Sequence, residues 1–390
     1  MKRVTGRYES SSLAGETVRA FVPASLPPSD PPLDLDAPTI RLLDDATSAL
    51  ANLDLVGGLV PSMNWFLYSF VRKEAVVSTQ IEGTQTTLMD LLTFEATGSA
   101  EAAPLDVGEV CSYLDAVEYA REQIRHPRGL PISTRLLNET HRRLLAGARG
   151  QAKSPGHIRR SQNWIGGTRP GNAAYVPPPP NLVGSLLADL ENFIHSESPI
   201  PALVRAGLVH VQFESIHPYL DGNGRIGRLL VSLLLEHWGI LTQPLLYLSL
   251  HFKRNRVEYY RRLDAVRADG DFEGWIAFFL EGVRAIADEA VATARDLHEL
   301  IARDRLRALE SPGAGAASAR LFEMLPDHPV LTTALVVDLL GTTKPTAARA
   351  IATLVDAGIL AEQTGRRRDR LYGYAGYLER LRVGTELERA

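Results

Sequence analysis

A single cysteine, Cys111, stands in a chain of 390 residues, which excludes an internal disulfide and a cysteine-rich metal site and points to a reducing compartment. Long apolar runs are missing too. No stretch approaches the length of a bilayer span, and the start Met1-Lys2-Arg3-Val-Thr-Gly-Arg-Tyr-Glu-Ser lacks the apolar region of a secretory signal. Neither sign of charge dominates: 42 Lys and Arg face 46 Asp and Glu, for a formal charge of −4. No global attraction to nucleic acid follows, so any basic surface must be local. The 45% hydrophobic and 23% charged content is that of an ordinary globular protein, and the length suggests two or three domains. A cytoplasmic protein without a membrane segment is the expectation.

Helical periodicity fills most of what is there. A proline-rich run, Pro23 to Pro32, cannot be helical; with an extended segment around Val18 to Val22 it reads as an arm packed along the surface. Apolar spacing then predicts a helix from near Pro38, ended by Gly57 and Gly58, and a second from Ser62 to Ile81. Further helices are expected over 86–95, 106–125, 133–145, 181–197, 202–214, 246–255, 257–268 and 273–309, with a Gly/Ala/Ser-rich loop before 106. Between them, Arg159 to Gly167 and Tyr175-Val176 read as two short strands of a hairpin flap. After a small-residue linker at Ser311, helices over 319–325, 331–340 and 345–357, followed by strands at 358–360 and 371–374, spell a winged helix-turn-helix.

The densest chemistry lies in His217-Pro-Tyr-Leu-Asp221-Gly222-Asn223-Gly224-Arg225-Ile-Gly-Arg228. A proton-exchanging imidazole, a carboxylate suited to a hard cation and a glycine-rich turn precede a helix marked by Ile226, Leu229, Leu230, Leu233 and Leu234. Arg225 and Arg228 sit in its first turns, where the helix dipole disfavours cations; an anionic ligand, such as a phosphate chain, accounts for both. Upstream, Ser78 and Glu82 share a helix face before the capping Gly83. On residue type alone, Glu82 reads as a solvated carboxylate.

Residues 217–228 resemble the signature of the Fic family, with Tyr219 where the family has phenylalanine, and the flap from Gln162 to Pro177 also looks like the family's. The resemblance implies a mainly α fold: an N-terminal arm and helices (1–100), an all-helical Fic core with a small β-hairpin flap (101–310) and a winged-helix domain (318–390). It implies an enzyme that transfers AMP from ATP to a Tyr, Thr or Ser hydroxyl of a target protein, which can be itself. His217 would be the general base, Asp221 the Mg²⁺ ligand, and Gly222, Asn223, Gly224, Arg225 and Arg228 the phosphate cradle. Ile165, Gly166, Gly167 and Thr168 would cover the nucleotide, and Tyr259, Tyr260 and Leu263 would form the adenine pocket. A glycine at 224, where the related Doc toxins have lysine, favours adenylylation over phosphorylation.

The resemblance also recasts Ser78, Glu82 and Gly83 as the family's inhibitory motif, with Glu82 pairing Arg228. Lys344, Thr346, Arg349 and Arg366 to Arg368 make DNA a second partner to consider through the winged helix, and a homodimer is left open. Two other functions remain in view: a nucleotide-sensing transcriptional regulator, and removal of AMP by the same site.

Overall fold

A computed structural model describes residues 3–13, 15–59, 63–98, 106–147, 151–366 and 368–387. Residues 99–105 of the Gly/Ala/Ser-rich loop and Arg367 of the expected wing lie outside the described residues. The fold is mainly helical, and among the described residues no helix is long and apolar enough to cross a membrane. The chain divides into two compact units, Met1–Ala51 with Ser112–Ala287, and Asn52–Cys111 with Asp288–Ala390.

The first unit begins with an antiparallel hairpin, β1 (Gly6–Leu13) and β2 (Glu16–Pro23). Sequence reading finds only its second strand, because Val18, Ala20, Phe21 and Val22 are buried whereas β1 is the polar run Gly-Arg-Tyr-Glu-Ser-Ser-Ser-Leu. The helices are α1 (Ala37–Leu59), α4 (Val107–Arg125), α5 (Thr134–Leu144), α6 (Pro180–His195), α7 (Ala202–Ile216), α8 (Asn223–His237), α9 (Ser249–Arg254), α10 (Arg256–Asp269) and α11 (Phe272–Glu310). Three of them, α1, α4 and α11, cross the division between units. Contrary to the expected stop, α1 runs on through Gly57 and Gly58; a glycine inside a helix costs only about 1 kcal/mol relative to alanine.

Helix α7 is the axis of this unit. Every residue from Leu203 to Ile216 is buried, as its apolar residues on several sides require. Arg205, also buried, donates to the Phe193, Ile194 and Ser196 carbonyls at 2.7, 3.0 and 3.0 Å, which satisfies the end of α6. Ser133 caps α5 by accepting from the Leu136 N–H.

The second unit holds α2 (Met63–Ile81), α3 (Leu88–Thr97), α12 (Ala316–Met324), α13 (Thr333–Leu340), α14 (Lys344–Asp356) and α15 (Ala375–Leu381). Its sheet has the order β3–β5–β4, built from Val330–Thr332, Leu371–Tyr374 and Leu360–Glu362, all antiparallel. β3 was expected to be helical; its apolar Val330 and Leu331 are too few to distinguish the two periods. Thr87 and Asp90 start α3 with a reciprocal capping box. The core includes Phe66, Phe70, Leu321, Leu354 and Tyr377. A buried hydrogen bond of 2.7 Å joins Ser69 Oγ to Tyr377 Oη, and Gln80 Nε2 donates to the Thr86 and Thr385 carbonyls at 2.8 Å each.

Candidate active site

His217 caps the C-terminus of α7 with φ 49° and ψ 63°, a left-handed conformation that a residue with a side chain rarely adopts. Its N–H donates to the Phe213 carbonyl at 2.9 Å. Five residues later Gly222, at φ 77°, is the N-cap of α8; a Cβ there would be strained by the backbone and pressed to 3.2 Å from Leu144. No side chain caps α8 and no acidic residue lies in its first turn. The positive end of the helix, with Arg225 and Arg228 buried beside it, is therefore arranged for an anion.

The loop between the two helices is stitched internally. Asn223 is buried, its Oδ1 accepts the Tyr219 N–H at 2.8 Å, and its Nδ2 donates to the Tyr219 carbonyl at 2.9 Å. Tyr219 in turn stacks on His141, with centroids 3.8 Å apart and planes 8° apart, and donates its hydroxyl to Asn138 Oδ1 at 3.0 Å. The Gly156 N–H donates to His141 Nδ1 at 2.9 Å, so the ring proton sits on Nε2, which meets the Asp221 carbonyl at 3.0 Å. Burial holds the His141 pKa down at about 4, and the ring is neutral near pH 7.

Asp221 offers a half-exposed carboxylate. Oδ1 accepts the Gly222 N–H at 2.6 Å and lies 3.5 Å from Arg225 Nη2, which leaves Oδ2 directed elsewhere. A carboxylate with one oxygen anchored and one available suits a Mg²⁺ ion whose other ligands are phosphate oxygens and water.

The flap is slighter than the two expected strands. Ile165 and Tyr175 form one antiparallel bridge, with N–H to carbonyl distances of 2.8 and 3.1 Å. Pro177 to Pro180 have no N–H to extend the pairing. Beyond the bridge, Gly166, Gly167 and Thr168 are exposed. A Cβ on Gly167 would lie 2.4 Å from the Asn172 carbonyl oxygen, so only glycine fits the turn. Glu16 of β2 ties down the tip by accepting from the Gly171 N–H at 2.8 Å and pairing with Arg169. Phe21 N–H donates to the Val176 carbonyl at 2.9 Å, extending the N-terminal hairpin alongside the flap.

Arg159 lies under the flap and is 2% exposed; burial pulls its pKa down to about 10. Of the residues expected to hold adenine, only Tyr260 is exposed. Leu263 is buried, and Tyr259 is buried with its hydroxyl 2.9 Å from His210 Nε2. His210 packs against both Trp275 and Phe252 and meets the Gly227 carbonyl through Nδ1 at 3.0 Å. Burial takes its pKa down to about 4.

In the second unit, α2 stops at Ile81, and Glu82 follows it, exposed, with its N–H donating to the Thr79 carbonyl at 3.0 Å. Ser78 is buried, and Gly83 takes φ 97° at the helix end, as its reading as a C-terminal cap expects.

Sequence reasoning passed over Asn138, His141, Arg159 and His210. Leu137, His141 and Leu144 fall at i, i+4 and i+7 on α5, a stripe that already placed His141 inward. Nothing comparable marks Arg159.

Two family models match the chain: Fic/DOC family N-terminal over residues 40–122, and Fic/DOC family over residues 131–235. A Drosophila yakuba protein adenylyltransferase Fic is 29% identical over 203 residues, 49% of this chain and 38% of that protein. A probable protein adenylyltransferase of Aquifex aeolicus is 35% identical over 91 residues, 23% of this chain and 26% of its own length. The chain thus spans well under half the length of these curated relatives. Among solved structures, a Fic family protein from Desulfovibrio desulfuricans has a TM-score of 0.56 at 20% identity, covering 89% of this chain and 98% of its own. Fic-1 from C. elegans has a TM-score of 0.51 at 20% identity, covering 66% and 73%. These likenesses bear on the fold.

Proposed function

The chain belongs to the Fic/DOC family over residues 40–122 and 131–235, and from that premise we propose that it is a protein adenylyltransferase. The observation that carries the reading is the pairing of His217, fixed at the end of α7, with an uncapped helix start that keeps two buried arginines in its first turns. A Tyr, Thr or Ser hydroxyl of the target attacks the α-phosphorus of ATP. The new O–P bond forms as the bond to pyrophosphate breaks, and the hydroxyl proton passes to the His217 imidazole. Backbone amides at Gly222 to Gly224 and the Arg225 and Arg228 guanidiniums stabilise the charge that develops on the phosphates.

Asp221 would hold Mg²⁺, whose chemistry when bound is neutralisation of phosphate charge. Ile165 to Thr168 cover the nucleotide, with the exposed Tyr260 at the adenine side. Glu82 regulates the site by competing with the γ-phosphate for Arg228.

With labelled ATP, Glu82→Gly raises AMP transfer about tenfold or more, in the usual range of a regulatory coupling. His217→Ala in that background lowers it by about 10²- to 10⁴-fold, as removal of a general base does. A Glu82→Gly protein that never transfers AMP, to itself or to lysate proteins, would sink the reading.

A second activity is favoured by the outer face of α14. Pro345, Ala348, Arg349 and Ala352 are exposed there, and the small Ala348 and Ala352 leave room for the helix to enter a major groove. Residues 341–372 carry six basic against three acidic side chains. Lys344, Arg366, Arg368 and Arg370 line a groove of ≈ 1290 Å³, and none of the four forms an ion pair among the described residues. As a winged helix this segment would bind duplex DNA through phosphate contacts. Binding should weaken steeply with salt, and the slope should flatten when Arg366, Arg368 and Arg370 become alanine; no binding at low salt would exclude it.

A further inference from the structure

Arg159 takes no part in the chemistry above, yet it is among the largest fully buried side chains of the molecule. Among the described residues its guanidinium meets no carboxylate; its partners are main-chain oxygens. Nε donates to the His217 carbonyl at 2.9 Å, Nη2 to the Pro178 carbonyl at 2.6 Å and to that of Ile216 at 3.4 Å, and Nη1 to the Ser161 carbonyl at 3.4 Å. Its own N–H donates to the Pro218 carbonyl at 3.0 Å.

Keeping a cation buried without a counter-ion is costly, so the contacts must return something. They join two places. Ser161 and Pro178 flank the flap, while Ile216 and His217 end α7 with carbonyls that the helix itself leaves unsatisfied. His217 is also one of only three positive-φ residues other than glycine among the described residues. Such a conformation persists where its surroundings over-determine it, and a planar fork gripping the His217 carbonyl is that kind of surrounding. A lysine could not replace it, because an ammonium has no planar array of donors to reach carbonyls on both sides.

We propose that Arg159 is a positioning residue: it holds the backbone of His217 in its left-handed turn and fastens the base of the flap to that same turn, so that general base and nucleotide cover stay in register. It touches neither substrate nor reacting atoms. The kinetic side of this inference rests on the AMP-transfer reading; the structural side does not.

The test places Arg159→Lys and Arg159→Gln in the Glu82→Gly full-length protein, and measures kcat and KM for ATP together with backbone hydrogen exchange by mass spectrometry. A displaced base should cost about a hundredfold in kcat, with KM for ATP within about twofold, and lysine should rescue no better than glutamine. Exchange should quicken together in peptides covering 160–176 and 213–219 while those of α10 keep their rates. A lysine variant with the parent's kcat, exchange that rises evenly across the unit, or unfolding of both variants would overturn the proposal in favour of general packing. If the Glu82→Gly parent itself transfers no AMP, the adenylyltransferase reading fails while the exchange pattern still decides the role of Arg159.

Discussion

In the unit that carries His217, polar groups around the motif are buried and tied to main-chain atoms: Asn223 to Tyr219, His141 to Gly156 and Asp221, Arg159 to His217. In the unit that carries Glu82, buried ties at Ser69 and Gln80 hold α2, and Glu82 lies at the surface one residue past the helix. The contrast between buried and surface positions suits the two roles proposed above. A general base gains from a backbone that cannot shift, and a regulatory carboxylate at the surface can engage and let go without unpacking a core.

Asn223→Ala breaks the comparison most sharply. It orphans the buried Tyr219 N–H, while the Tyr219 carbonyl keeps the Asn163 amide at 3.1 Å; with about 1–3 kcal/mol for the orphaned donor and about 1 kcal/mol for the second bond, we expect about 3 kcal/mol of destabilisation in chemical denaturation, located in the first unit. A loss under about 1 kcal/mol would mean that the motif loop is not held from within.

Acid should sharpen it. His210 in the folded protein titrates at about 4 because of its burial, against about 6.5 when unfolded. The unfolded chain therefore binds more protons between those values. Stability is full above about pH 6.5, falls as pH drops toward about 4, and levels off below, for a loss of about 3 kcal/mol from this histidine at about 1.4 kcal/mol per pH unit. Melting followed from pH 7.5 to 4 on the wild type and on His210→Phe reads this directly: the variant should start less stable, with Tyr259 unpartnered, and slope less steeply.

The smallest effect belongs to the second unit. Tyr377→Phe removes one buried hydrogen bond to Ser69 and should cost about 1 kcal/mol without touching AMP transfer by the Glu82→Gly protein. A rise in basal transfer from Tyr377→Phe alone would show that the ties on α2 also set the position of Glu82.

Much of this was legible beforehand. The helices follow from apolar spacing, and residues 217–228 stand out as a candidate anion site because charge type, glycine and helix start coincide within a dozen positions. Features decided by three-dimensional surroundings were not. β1 has the composition of a loop and becomes a strand because β2 offers it a partner edge. The flap loses most of its pairing to prolines whose edge the sequence does not specify. Tyr259 and Tyr260 are adjacent aromatics, yet one is core and the other exposed, since they lie about 100° apart around α10. Arg159 is hidden for a simpler reason: an arginine at the start of a surface hairpin reads as solvated, and only tertiary structure reveals a cage of carbonyls.

That cage has an evolutionary consequence. Carbonyl oxygens are common to all residues, so a guanidinium that recognises only them is indifferent to which side chains stand at Ser161, Pro178 and Ile216. Those neighbours are free to drift while the tie survives, and the constraint concentrates on a single codon, the one for Arg159.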